Sequence, residues 1–387
     1  MNTYQFIKKT CLCFFILIVG GGCSSSQVSN EKKKEENKNT AIANVTTDQI
    51  AQKELSYHFD TDAQCDLGDY TDYAYTKNGY YHMKLLNQEN DNMTYQLTFT
   101  DKKSGKTVPV CTKSNCTHTS ADCDANFEEG YDGDHASANK SYYIGYGYFQ
   151  YYKGSLYLPV KKGDYVYLMK VGADGSTRSN VMKLCRFLQI TKKKGDATET
   201  ASFYPMLQIH RGYVYFTNDE TGGKTATLYR KKMGGDQIET IKHLKSHQPM
   251  IYRIHPYGNY VFYIAGTMDS KGNMKSNLYA YNTKNKKIFL AGKNISGNYT
   301  VYKGSIYYTN GFKTMRIYRL SLGSFQPTYI TKTAMKEGES VHLYGNGKKV
   351  VVQFVNNDGN LDKQMILENT KKVATYKTPK IKPYQNL

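Results

Sequence analysis

The chain has 387 residues and 37 Tyr but no Trp, and its 52 Lys and Arg outnumber its 33 Asp and Glu to give a formal charge of +19. Apart from one short run near the N-terminus there is no apolar stretch of spanning length, which excludes a bundle of transmembrane helices. The charge favours contact with anionic lipid heads or anionic wall polymer.

The N-terminus decides the compartment. Lys8 and Lys9 precede the apolar run Cys11–Val19, then the small residues Gly20 to Gly22, then Cys23. A positive end, a short apolar core and small residues make a secretory signal rather than a spanning helix. A cysteine directly after the small residues matches a bacterial lipoprotein cleavage site. Residues 1–22 are therefore expected to be removed and Cys23 to carry diacylglycerol. The alternative is an ordinary secretory signal cleaved elsewhere. Removal of Lys8 and Lys9 leaves a formal charge of +17. Nucleic acid does not suit an exported chain, so none is expected as partner, and the lipid is the expected membrane anchor.

Residues 23–53 are polar and charge-mixed. Too little apolar surface is available there to offset the entropy of ordering, so a disordered tether is expected. Its stretch Ser24–Gln49, as a flexible coil of about 26 residues, reaches roughly 25–30 Å r.m.s..

Residues 54–387 form the folded body and carry an internal repeat. A glycine before an aromatic strand recurs at Gly79, Gly154, Gly212, Gly258, Gly304 and Gly347, the last four spaced 46, 46 and 43 residues apart. A strand is expected before each glycine, as in Met206–His210 or Val341–Tyr344. Two more follow it, and glycine supplies positive φ in the first hairpin. Four strands per unit at this period mark a β-propeller blade. The expected fold is all-β, with six four-stranded blades closing radially over shared faces. Glu54–Asp60 is a candidate strand for closing the ring against the last blade.

The first two spacings are longer, 75 and 58 residues. The first excess contains Val110–Ala125, "VCTKSNCTHTSADCDA", with the pattern Cys-x4-Cys-x-His-x4-Cys formed by Cys111, Cys116, His118 and Cys123. By phase it belongs to an inter-blade insertion at 111–140. Three cysteines and one histidine suit a tetrahedral zinc site, and such a closed site is structural. A disulfide framework is the reading placed ahead of the metal, because exported proteins can oxidise, with Cys65 and Cys185 as additional partners. A reduced, packed cluster is the third. A catalytic thiol would have only His118 as a nearby base, so no catalytic residue is assigned.

This stretch, together with the lipoprotein signal and blades such as "YKGSIYY", resembles a group of uncharacterised lipoproteins from Gram-positive anaerobes of the Clostridia class. Their pattern is close to Pro-Leu-Cys-x-Lys-Pro-x-Cys-x-His-x4-Cys-x-Ala on a TolB-like six-bladed propeller. Cys111, Lys113, Cys116, His118, Cys123 and Ala125 agree, whereas Val110 and Ser114 replace Leu and Pro. The resemblance implies fold and location, and brings no activity. It also implies a habitat with little oxidant for disulfides.

Other motifs are weaker. Thr221–Thr225 "TGGKT" lacks the first glycine of a phosphate loop and reads as a hairpin turn. Asp124–His135 concentrates acids and reads as a solvated loop before a calcium site. Asn356–Asp362 reads as a turn. Most tyrosines are expected to pack blades rather than to floor a sugar site. The expected function is a lipid-anchored cell-surface module that binds an envelope protein, a peptide or a glycan. The alternative is an extracytoplasmic hydrolase or lyase with its site at the central channel.

Overall fold

The computed structural model describes residues 57–64, 73–89, 92–120, 122–129, 142–143, 149–194, 197–203, 205–219, 223–268, 274–295, 299–311, 314–322, 324–346, 349–356, 361–368 and 371–376. They form strands and turns with no helix among the described residues. Cys23, Cys65 and the expected signal and tether up to residue 53 lie outside them.

Six blades follow one another along the chain. Blade 1 has β1 (Tyr73–Tyr75), β2 (Gly79–Glu89), β3 (Asn92–Asp101), and an outer position shared by β4 (Thr107–Pro109) and β5 (Asn126–Glu129). In blade 2 the inner position is shared by β6 (Tyr142–Tyr143) and β7 (Gln150–Tyr152), followed by β8 (Ser155–Lys162), β9 (Tyr165–Gly172) and β10 (Arg178–Arg186). A two-stranded hairpin of β11 (Leu188–Lys194) and β12 (Ala197–Phe203) accounts for the second long spacing. Blade 3 is β13 (Leu207–His210), β14 (Tyr213–Asn218), β15 (Thr225–Lys232) and β16 (Ile238–Lys245). Blade 4 is β17 (Pro249–Tyr257), β18 (Tyr260–Met268), β19 (Met274–Asn282) and β20 (Ile288–Gly292). Blade 5 is β21 (Tyr299–Tyr302), β22 (Ser305–Asn310), β23 (Thr314–Ser321) and β24 (Pro327–Ala334). Blade 6 is β25 (Ser340–Asn346), β26 (Lys349–Val355), β27 (Leu361–Glu368) and β28 (Lys371–Tyr376). Pairing within the blades is antiparallel, with β13-β14-β15-β16 as the pattern that blades 4 to 6 repeat.

The repeat glycines act as the sequence predicts in most blades. Arg211 and Gly212 have φ of 47° and 82°, a two-residue turn with both central residues left-handed, and Lys153–Gly154 and Lys303–Gly304 repeat it. That turn matches the strand twist. Gly79 is different. It lies within β2 opposite Asp101, and a Cβ there would collide with the Thr100 carbonyl and the Phe99 ring.

The core lies between blades. Both faces of a middle strand are buried, so the strand reads as a continuous apolar run with alternate residues serving opposite neighbours. On β14, Val214 and Phe216 pack with Leu168 and Leu184 of blade 2, while Tyr215 packs with Ile251 and Tyr263 of blade 4. The same exchange joins blades 4 and 5 through Phe262 and Tyr299, and blades 5 and 6 through Ile317 and Leu343. Each such buried side chain contributes roughly 1.5–3 kcal/mol. Cys185, named with Cys65 as an additional disulfide partner, belongs to this core between blades 2 and 3, on the fourth strand of blade 2, and forms no disulfide.

Two expectations change. Each blade is built from its own stretch of chain, and no strand is exchanged between blades 1 and 6 among the described residues. The described part of the candidate closing strand, from Tyr57, is instead a turn that straps one mouth of the ring. The Lys153 amide donates to Asp60 O at 3.0 Å, the Arg211 amide to Thr61 O at 2.7 Å, and Gln64 brackets Tyr75 in blade 1. Strand pairing was unavailable to it because its residues supply polar contacts to three hairpin ends instead.

Candidate metal centre

The Cys–His stretch interrupts a strand. β4 pairs with β3 at Thr98–Thr100, and β5 resumes at Met93–Gln96 on the same edge. Between them the Val110 amide donates to Leu97 O at 2.9 Å, and the Leu97 amide to Ala125 O at 2.7 Å. Residues 111 to 124 therefore loop out of the outer strand of blade 1. The sequence phase put the insertion in the connection between blades; its first half lies inside blade 1, and residues 130–140 are outside the described set. Asn126–Glu129, expected as solvated loop, is strand, with Phe127 in the core of blades 1 and 2.

The loop is held from below. Val110, Cys123 and Ala125 are buried. Gln96 of β3 donates to His118 O at 2.8 Å and to Asn126 Oδ1 at 3.1 Å, and Asn126 donates to Ser120 O at 2.7 Å. Lys113 pairs with Asp124 at 3.2 Å across the mouth of the loop. Asn115 and His118 both take φ of 61°. That left-handed backbone is unfavourable for a histidine and turns the chain sharply enough for a single residue to separate Cys116 from His118.

The result is a convergence of four donors. The ligand atoms of Cys111, Cys116, His118 and Cys123 all lie within 4.8 Å of one another. His118 Nδ1 is 3.5 Å from Cys123 Sγ, and the edge of a tetrahedron with bonds of 2.0–2.3 Å is about 3.5–3.8 Å. The three thiols are unbridged. Burial pushes the Cys123 thiol up to about 11. Burial also raises Cys111, but backbone hydrogen bonds from Lys113 and Asp124 and those of the other thiols bring it below its ordinary value. Arg178 of blade 2 stands beside the group. Its guanidinium is 3.8 Å from the Phe127 ring and donates to Asn126 O at 3.2 Å. This group can hold one metal ion.

Gln96, Asn126 and Arg178 carry no local sequence signal, because they reach the loop from β3, β5 and the neighbouring blade. Cys185 lies in the core of blades 2 and 3 rather than with these thiols. Of the "TGGKT" stretch the described residues begin at Gly223, which donates to Asp219 just before β15; Thr221 and Gly222 lie outside the described residues. Of the Asn356–Asp362 stretch, residues 357–360 lie outside the described residues, and Asp362 of β27 pairs with Lys336.

The chain matches no protein-family model and no curated protein. In fold it is similar to a prolyl endopeptidase, at 13% identity and TM-score 0.47 over 84% of this chain and 44% of that one. A puromycin-hydrolysing peptidase of Mycobacterium tuberculosis gives 7% identity and TM-score 0.45 over 81% and 53%. The chain spans about half the length of these two proteins. The β-propeller domain of the Trilobed protease from Pyrococcus furiosus gives 10% identity and TM-score 0.40 over 81% and 99%.

Proposed function

We propose that the chain is an exported, lipid-anchored propeller of the Clostridia-type lipoprotein group that binds a partner at the cell surface, stapled on its rim by a structural zinc ion. The observation that carries the zinc is the convergence of four donors within 4.8 Å with every thiol unbridged. A disulfide would use two of the thiols and leave the histidine idle. Cys111, Cys116, His118 and Cys123 fill a tetrahedral shell, so no position is left for substrate and the ion cross-links the loop. Three thiolates on a divalent ion leave one negative charge, which the adjacent Arg178 offsets.

The binding role has separate support. The strap bonds blades 1 to 3 at one mouth of the ring, and the partner, an envelope protein, a peptide or a glycan, would be taken at the other. An enzymatic reading, a hydrolase or lyase at the channel, calls for paired carboxylates or a histidine cluster. The inner strands instead bring Arg253 of β17 near His342 of β25, where burial and then the Arg253 charge pull the imidazole down to about 4.

Elemental analysis of anaerobically purified protein should find one zinc per chain. Cys116→Ser should lose it and lower the melting temperature while partner binding per folded molecule is unchanged. Metal-free, reductant-sensitive protein would replace zinc with a disulfide. A clickable fatty acid should label the wild type and not Cys23→Ser; an unlabelled protein shed into the medium would remove the anchor.

A further inference from the structure

We propose that the face carrying the strap is a docking surface for an anionic lipid bilayer, so that the propeller lies with this face down on the membrane and its other mouth outward. The inference rests on the lipid-anchored reading and gives it an orientation.

Antiparallel order puts the first-to-second and third-to-fourth strand turns of each blade at one end and the remaining connections at the other. The strap marks the first end, since it bonds Lys153 and Arg211 in two such turns. Tyr57, where the described chain begins, lies there too, so whatever precedes it attaches on this side. Lysines crowd the same turns. Lys77, Lys153 and Lys303 are exposed in first-to-second turns, and Lys102, Lys103 and Lys106 in blade 1's third-to-fourth turn. Blade 4 adds Lys284, Lys286 and Lys287 in "TKNKK", and blade 6 adds Lys371 and Lys372. The exposed acids of this end, among the described residues, are Asp60, Asp174 and Asp236. Asp101 is engaged within its own turn with Ser104, and Glu239 holds Arg230 and Lys286.

The opposite end is less basic: Arg186, Lys224, Lys245, Lys275, Lys293 and Arg316 are exposed there with Asp164 and Glu337, and Lys336 is paired with Asp362. Among the described residues the larger share of the exposed lysines thus lies on the strap face. Exposed apolar side chains share that face: Tyr57 beside the strap, and Ile238 and Ile288 at the starts of outer strands. Lysines around scattered large apolar residues are the composition that settles at the headgroup level of a bilayer. An open depression of about 410 Å³ lies between the strap and the turns, lined by His58, Thr61, Tyr152, Lys153, Arg211 and Gly212.

Electrostatic attraction acts only within about 8 Å at physiological salt, so a disc at the end of a loose tether would feel none unless its charged face were held near the surface. The strap does this by rooting the chain on the charged face. A soluble wall polymer also offers phosphate, but it gives no reason for tether root and lysines to coincide, so the bilayer is the assigned partner.

The test uses the mature acylated protein on vesicles, either neutral phosphatidylcholine or the same lipid with phosphatidylglycerol, and reads lysine acetylation by mass spectrometry. On anionic vesicles Lys102, Lys153, Lys284 and Lys303 should react several-fold more slowly than on neutral ones, and high salt should remove the difference. Lys224, Lys245 and Lys293 should react equally on both. Equal reactivity of the first group on both vesicles, or protection of the second group, overturns the proposal. So does stronger protection by soluble poly(glycerol phosphate) at matched phosphate. Flotation with neutral vesicles reads the lipid anchor independently, so its failure is distinct from a failed footprint.

Discussion

Removing either partner of the Asp62–Arg211 pair should release the strap, and the two removals should differ in size. Arg211 Nε and Nη2 donate to the two Asp62 oxygens at 2.8 and 2.9 Å, and the His58 amide donates to the same carboxylate at 3.0 Å. The Asp62 side chain is 1% exposed and that of Arg211 25%. Breaking a buried ion pair from one side costs about 3–5 kcal/mol, mostly for the charge left behind. Arg211→Met leaves Asp62 with nowhere to hydrate and should cost about 3–4 kcal/mol. Asp62→Ala leaves a guanidinium that reaches water, so its cost should be nearer 2 kcal/mol. The double variant should then recover about 2 kcal/mol relative to the sum of the singles. Urea unfolding with matched slopes measures all three, and limited proteolysis near residue 57 should speed up in each. Additivity to within about 0.5 kcal/mol would mean the pair is not coupled. Asp62→Ala costing more than Arg211→Met would refute the desolvation argument.

Two further predictions follow from buried groups. His210 accepts from the Ala63 amide on Nδ1 at 3.1 Å and donates from Nε2 to Gly258 O at 2.7 Å, and burial pulls its pKa down to about 4. A depressed imidazole takes up its proton in the unfolded chain first, so its contribution is intact above about pH 6.5 and is lost as pH falls towards 4. The loss for His210 should approach about 3 kcal/mol. An imidazole titrating near 6.5 by NMR in the folded protein would contradict this. Gly79→Ala should destabilise, whereas the same change at an ordinary strand glycine stabilises by roughly 0.5–1 kcal/mol, because the added methyl meets the Thr100 carbonyl and Phe99 ring. A melting temperature within a degree of wild type would show that β2 and β3 give way there.

The blades were legible because a local rule recurs: a left-handed turn, then a strand with both faces apolar. Arg211–Gly212 and Lys303–Gly304 obey it, and so do the strands around them. Gly79 was legible as a repeat member for the wrong reason, since crowding across the sheet leaves no mark on the local sequence. The split outer strand of blade 1 was hidden by composition. Asn126–Glu129 reads as an acidic loop, and only Phe127, packed under Arg178 from the next blade, gives it a buried side. The strap was read as a strand because "SYHFD" alternates like one. Its real partner, Arg211, is 149 residues from Asp62, and no window of sequence joins them. The metal-ligand spacing was legible as chemistry, whereas Gln96 and Asn126, which hold the loop in place, were not.

The split outer strand of blade 1 and the split inner strand of blade 2 meet at one boundary, and the physical reason is shared. β5 pairs in parallel with β6 through Glu129 and Tyr143, and β6 pairs with β8, so the two blades form one continuous sheet. Elsewhere adjacent blades meet through side chains and keep separate ladders. A continuous sheet transmits a local loosening of blade 1 directly to blade 2. The loop that interrupts β4 and β5 opens that ladder at its middle, and only two backbone hydrogen bonds, both to Leu97, tie its ends. A cross-link within the loop restores what the missing ladder bonds would have supplied, because it fixes the separation of Cys111 and Cys123 at the two strand ends. Arg178 completes the connection, since it touches Asn126 and Phe127 from blade 2 while its charge faces Cys111 and Cys123. The cluster is placed where the propeller has a gap in its own hydrogen bonding, which is why a structural ion is the role that its position supports.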